Sequence, residues 1–151
     1  VKKIGVIGSG SDKFTDFGRS TALHIIDELL KPGVTVVSGH SPVGGVDIWA
    51  ETMAEQKGLP VEIFVPTVNK WHGGYRERNM KIAQHSDEIH VIVADKYPLG
   101  WQGRRFSACY HCQARSMQDA VSHVKSGACW TALKAMRMGK PATWYVVRNG
   151  D

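Results

Sequence analysis

The chain has 151 residues, of which 42% are apolar and 22% charged, and a formal net charge of +5. That is enough for one domain with its own core, and it excludes a low-complexity or disordered chain. No apolar run is long enough to span a bilayer, and Val1–Gly8 is too short and glycine-interrupted for a secretory h-region, so a cytosolic protein without a membrane partner is expected. The positive surplus suits an anionic ligand, and the absence of a long Lys/Arg run makes nucleic acid a weaker expectation.

In chain order, residues 3–8 form an apolar run without alternation, as a strand buried on both faces requires. Gly8-Ser9-Gly10-Ser11 ends it with small residues that let a ligand approach the backbone. Thr15 or Asp16 is placed to cap a helix from Phe17 to Leu30, whose apolar residues recur at three and four. Lys31-Pro32-Gly33 stops that helix before a second strand, Val34–Val37. The loop from Ser38 to Gly45 and the helix opening at Val46-Asp47 give a strand, glycine loop, helix layout. That layout lets backbone N–H groups converge on an anion.

A third strand is expected at Val61–Val65, a helix at Tyr75–His85 and a fourth strand at Glu88–Ala94. Regularity breaks over Asp95–Lys125, which is too long for a bare connection, with room for a short helix in Gln113–Val124. Ser126-Gly127 opens another helix, with an apolar stripe through Cys129, Ala132, Leu133 and Met136, and Ala142–Val147 is the last strand. Strands alternating with helices predict an α/β fold. The expected architecture is a Rossmann-like three-layer sandwich with a parallel five-stranded sheet and an irregular Cys/His-containing insert after strand four, all in one domain. The loops after the strands then gather along one edge, where such sheets bind ligands.

Two constellations carry chemistry. Arg76 and Arg78 open a helix, where cations oppose the macrodipole, so a guanidinium there suits phosphate or carboxylate recognition, with Asn79 beside it. Asp47 is either a helix-start acid favoured by the dipole or an acceptor for ribose hydroxyls, and His40 is an exposed loop residue. The second constellation is Cys109-Tyr110-His111-Cys112 with His123. Three cysteines, a Cys-x-x-Cys spacing and no secretory signal point to thiols or metal, and a structural zinc would order the long insert. The fourth ligand is left open among His111, another insert residue or a neighbouring chain. Cys129 is disfavoured because helical spacing places it on the core stripe. A redox pair is the competing use of the two thiols. Among the tryptophans, Trp130 is better placed than Trp71 or Trp101 to stack on a base.

In order, the chain carries Gly-Ser after strand one, Ser-Gly-x-x-x-x-x-Gly-x-Asp-x-x-Ala after strand two, an Arg-x-Arg-Asn helix, and a Ser-Gly-x-x-x-Thr helix start before Gly-Lys-Pro. This resembles the SLOG superfamily (SMF/DprA–LOG), most closely its small YspA-like stand-alone members, over roughly residues 1–94 and 125–148. The resemblance implies a domain binding a nucleotide or nucleotide-derived ligand, usually as a homo-oligomer. The ligand would meet Gly8, Ser9, Gly10, Ser38, Gly39, Gly44, Gly45, Asp47, Arg76, Arg78, Asn79, Ser126, Gly127 and Thr131. The LOG branch implies cleavage of the base–ribose bond of a nucleoside monophosphate, with Arg78 as the matching catalytic arginine; the DprA branch implies single-stranded nucleic-acid binding. The glutamate that follows the LOG glycine turn has no counterpart after Ser126-Gly127, so a sensor or binding protein is expected before a hydrolase.

Overall fold

The structure, a computed structural model, describes residues 2–114 and 122–150. Five parallel strands form one sheet in the order β3-β2-β1-β4-β5: β1 Lys2–Gly8, β2 Val34–Ser38, β3 Val61–Ile63, β4 Glu88–Ala94 and β5 Ala142–Val147. The central strand β1 pairs with β2 (Ile4 beside Val36) and with β4 (Gly8 beside Ile92). Helices α1 Asp16–Leu29 and α2 Val46–Gln56 cover one face; α3 Arg76–His85 and α4 Ala128–Arg137 cover the other. The three-layer α/β sandwich expected from the strand–helix alternation is the fold found.

The two cores follow from strand periodicity. Ile4, Val6, Val36 and Ile92 point toward Ala22 and Ile26 of α1 and Ala50 and Ala54 of α2. Their strand neighbours Ile7, Val37, Val91 and Val93 point the other way, toward Ile82 of α3 and Ala132 and Ala135 of α4. Because both faces are covered, the inner strands read as continuous apolar runs. Gly8 is dictated by sheet geometry: a Cβ there would lie 1.8 Å from the Ile92 carbonyl oxygen, so only glycine lets β1 end this close to β4.

Element boundaries differ in informative places. Thr15 is the cap of α1, its hydroxyl accepting from the Gly18 N–H at 3.0 Å. Strand β3 ends at Ile63, short of Val65, because it is the sheet edge and Pro66 removes a donor just beyond. Helix α3 starts at Arg76, after a wide turn over Trp71–Tyr75 in which Gly73 takes φ 81. The short helix expected in Gln113–Val124 falls largely on residues 115–121, outside the described residues; Tyr110–Ala114 is a 3-10 turn and residues 122–126 are irregular. The insert's return is tied to the sheet by the Val124 N–H donating to the Ala94 carbonyl at 2.9 Å.

Asn149 closes the fold. It is buried, its side-chain amide donates to the Lys13 carbonyl (2.8 Å) and the Lys96 carbonyl (2.7 Å), and its Oδ1 accepts from the Thr15 N–H (3.1 Å). One side chain thus joins the loop after β1, the start of the insert and the chain beyond β5. No helix among the described residues is long and apolar enough to cross a membrane.

Candidate functional site

The strand order reverses at β1, whose neighbours are β2 on one side and β4 on the other. A cleft lies outside the carboxyl ends of β1 and β4, at the switch point where open α/β sheets place their ligands. It has two compartments that share Gly8 and Gly127.

The inner compartment, of about 150 Å³, has an apolar floor from Ile7 and Ile82 and a polar wall from Asp47, Arg78, Asn79 and Thr131. Asp47 lies in the first turn of α2, and burial pushes its carboxyl up to about 6, with Arg78 pulling the other way and Glu51 adding to the rise. Arg78 projects from α3 and is tied back to the scaffold: Nη1 donates to the Gly39 carbonyl at 2.5 Å and Nε to Asn79 Oδ1 at 2.7 Å. Burial disfavours its charge, and Asp47 opposes that. The pair therefore sets a half-buried cation against a buried carboxyl that titrates near neutral pH, with fixed positions for both.

Behind this wall is a group that sequence reasoning missed. Glu51, one turn beyond Asp47, is buried; it accepts from the Ser38 hydroxyl at 2.6 Å, and its other oxygen meets His40 Nδ1 at 2.7 Å. Ser38 Oγ in turn accepts from the His40 N–H at 3.2 Å. Asp47 and Glu51 at i and i+4 on a helix start mark one polar stripe, the signal that could have found it. His40, exposed as expected, sits at φ 50, and the Glu51 contact holds that conformation.

The outer compartment, of about 350 Å³, lies between the Gly8-Ser9-Gly10 loop and the insert. Its walls carry Lys13, Arg104 and Lys125 with Tyr97, Trp101 and Phe106. Trp130, expected to be the best-placed tryptophan for stacking on a base, instead packs edge-on against Trp71 at 5.1 Å, and it is Trp101 that lines the cleft.

The expected ligand residues other than Arg76 divide into three groups. Gly8, Ser9, Gly10, Ser126 and Gly127 line the outer compartment, and Gly8, Asp47, Arg78, Asn79, Gly127 and Thr131 the inner one. Ser38, Gly39, Gly44 and Gly45 stand behind the walls. Gly39 receives Arg78, and Gly45 (φ 92) would place a Cβ 2.5 Å from the Ser9 carbonyl oxygen. Arg76 belongs to neither compartment: it is exposed, 3.7 Å from Glu77, because the face of α3 that is buried runs through Asn79, Ile82 and Ala83. Several helix-start N–H groups expected to face an anion are already engaged. The Val46 N–H donates to the Ser9 carbonyl (3.3 Å), and those of Ala128 and Cys129 to Ser126 (3.3 and 3.2 Å).

A second cluster adjoins the cleft. Cys109, Cys112, His123 and Cys129 are buried, with one ligand-type atom from each lying within 4.8 Å of the others. His123 Nε2 is 3.2 Å from Cys112 Sγ and 3.9 Å from Cys129 Sγ, and its Nδ1–H donates to the Val124 carbonyl at 2.8 Å, leaving Nε2 as the acceptor. The fourth corner is Cys129, not His111. The Cys109–Cys112 turn packs directly on the first turn of α4, so the stripe position that buries Cys129 also aims it at the other three. His111 is not one of the four, and its ring lies tilted against that of Tyr110 at 4.3 Å. Hydrogen bonds from Cys112 and Cys129 hold the Cys109 thiol far below the usual thiol range, and the same pairing pushes Cys129 far above it. Three sulfurs this close cannot all ionise together without a cation among them.

No family model, curated protein or solved structure matches the chain.

Proposed function

We propose that this chain is a SLOG-like protein that binds a nucleotide or nucleotide-derived ligand in the cleft at the carboxyl edge of its sheet, acting as a sensor or binding protein. The observation that carries the proposal is the convergence of three loops from separate parts of the chain, Gly8–Gly10, the Ser38–Asp47 segment and Ser126-Gly127, around one cleft with Arg78 in its wall. Asp47 and Asn79 offer acceptors for sugar hydroxyls, and Arg78 offers a fixed guanidinium. Mass spectrometry of small molecules released from purified protein tests the proposal, with calorimetric titration of a nucleotide panel beside it. A bound nucleotide, or titration that is weakened in Arg78→Ala, is the expected result; a cleft that binds no nucleotide refutes it.

One observation favours hydrolysis as a second function. The carboxylate missing after Ser126-Gly127 has a spatial substitute in Asp47, buried beside Arg78 and titrating near 6, the range a general acid or base needs. Release of free base from a nucleoside monophosphate at enzymatic rates, abolished in Asp47→Asn, is the test.

The insert is held by a structural zinc bound by Cys109, Cys112, His123 and Cys129. The donor set fits: in a tetrahedral zinc site neighbouring donors stand about 3.5–4 Å apart, and the His123–Val124 hydrogen bond is the usual orienting contact of a zinc-bound imidazole. A chain folded from zinc-supplemented medium is expected to carry one zinc, read by inductively coupled plasma mass spectrometry, and to lose it in Cys112→Ser.

A further inference from the structure

The outer compartment gathers three cations, of which only Lys13 has a carboxylate partner among the described residues. Among the described residues no carboxylate lines it. Lys13 has one acid at the margin, Asp12 at 3.1 Å, and no ion pair is found for Arg104 or Lys125 among the described residues. The aromatic walls serve these cations. Lys13 Nζ stands 4.1 Å from the Trp101 ring centroid and the Arg104 guanidinium 4.6 Å from Phe106, with Lys125 Nζ 5.6 Å from the same Phe106. Tyr97 stacks on Trp101 at 5.5 Å. Cation–π contacts fix where the charges stand without cancelling them. Three mutually repelling cations held around one cavity of about 350 Å³ form a cage for an anion of more than one charge.

The inner compartment has the opposite character. Its one cation, Arg78, faces Asp47, and a buried carboxylate repels a phosphate. At about 150 Å³ it accommodates a sugar, and its neutral groups Asn79 and Thr131 match hydroxyls. The engaged N–H groups at the starts of α2 and α4 weaken the case for a phosphate there.

We propose that the ligand is a nucleoside di- or triphosphate, its sugar in the Asp47–Asn79–Thr131 compartment and its phosphate chain passing over Gly8 and Gly127 into the Lys13–Arg104–Lys125 cage. This rests on the nucleotide-binding function proposed above and reverses the simplest form of it, in which a single phosphate sits against the α2 loop and Arg78. It also gives the insert a role: residues 97–106 and 125 supply the cage.

Calorimetric titration of the zinc-loaded full chain with adenosine and guanosine mono-, di- and triphosphates, and with inorganic tripolyphosphate, tests it. The expected result is at least about a tenfold gain in affinity from mono- to diphosphate in one base series, and a gain reduced about tenfold in Arg104→Ala and in Lys125→Ala. Arg104 is exposed and Lys125 half-buried, and unchanged thermal midpoints show that the variants fold. Monophosphate bound as tightly as diphosphate, with Arg78 still required, overturns the phosphate cage and leaves nucleotide binding standing. Tripolyphosphate bound as tightly as any triphosphate also overturns it, since the sugar would then contribute nothing. No binding by any nucleotide removes both proposals.

Discussion

Asp47→Asn offers the sharpest test of the inner compartment, because it separates folding from binding. The Asp47 carboxyl is moved by burial from an ordinary 3.8 to about 6. A carboxyl raised in the folded state binds its proton more tightly when folded, so the stabilising contribution is fully present below the unfolded pKa and is lost as pH rises toward the folded one. The charged form is then a standing penalty above pH 6. The difference of about 2.2 in pKa, at about 1.36 kcal/mol per unit, makes that penalty roughly 3 kcal/mol at neutral pH and about 1 kcal/mol at pH 4.5. Asparagine keeps the shape and removes the charge. Asp47→Asn is therefore expected to be more stable than the parent by about 3 kcal/mol at pH 7, roughly 6–12 °C in Tm for a chain of this size, with the gap narrowing by about 2 kcal/mol at pH 4.5. Urea unfolding of both proteins across pH 4.5–7.5 reads it directly. A variant less stable at pH 7, or a gap independent of pH, refutes the assignment of Asp47 as a desolvated carboxyl. The same variant is expected to bind ligand more weakly, the usual exchange of function for stability at a site that holds charge out of water.

Arg78→Ala is expected to weaken nucleotide binding by about tenfold to a hundredfold while Arg76→Ala leaves it unchanged, since only Arg78 reaches the cleft; fluorescence or calorimetric titration distinguishes them. Gly8→Ala forces a Cβ into the Ile92 carbonyl and is expected to cost more than about 3 kcal/mol, seen as loss of a cooperative unfolding transition or of soluble protein. Chelation by a strong zinc ligand, or Cys112→Ser, is expected to lower Tm and to make the segment around Cys109–Lys125 proteolytically labile before the sheet unfolds, followed by limited proteolysis. If zinc removal leaves both unchanged, the cluster is a set of packed thiols.

What could be read from the residues, and what could not, follows from the range of the forces involved. The sheet was legible because β1 and β4 are buried on both faces and leave runs such as Ile4–Ile7 and Ile89–Ala94. Gly8 was legible because the turn at the end of its strand demands a small residue. Cys109, Cys112 and His123 were legible as a spacing. Cys129 was not, because its role depends on a turn of the insert landing on α4, a contact between segments that no local pattern records. Arg76 and Arg78 look equivalent in sequence; which one enters the cleft is set by the roll of α3 about its axis, decided by Ile82 and Ala83 packing into the core. The aromatic and cationic residues of the outer compartment are scattered from Lys13 to Lys125, and only the folded chain shows that they share a cavity.

Asn149 has a consequence for how the molecule comes to be folded at all. Its bonds to Thr15 span 134 residues, and through the Lys13 carbonyl it also fixes the loop that carries one of the cage cations. Closing so long a loop carries an entropic cost before any contact repays it, which makes parallel sheets of this kind slow to fold and cooperative. The final form of the loop after the first strand therefore depends on the segment after the last strand. A ligand bound in the cleft is expected to stabilise the folded chain and to slow global unfolding.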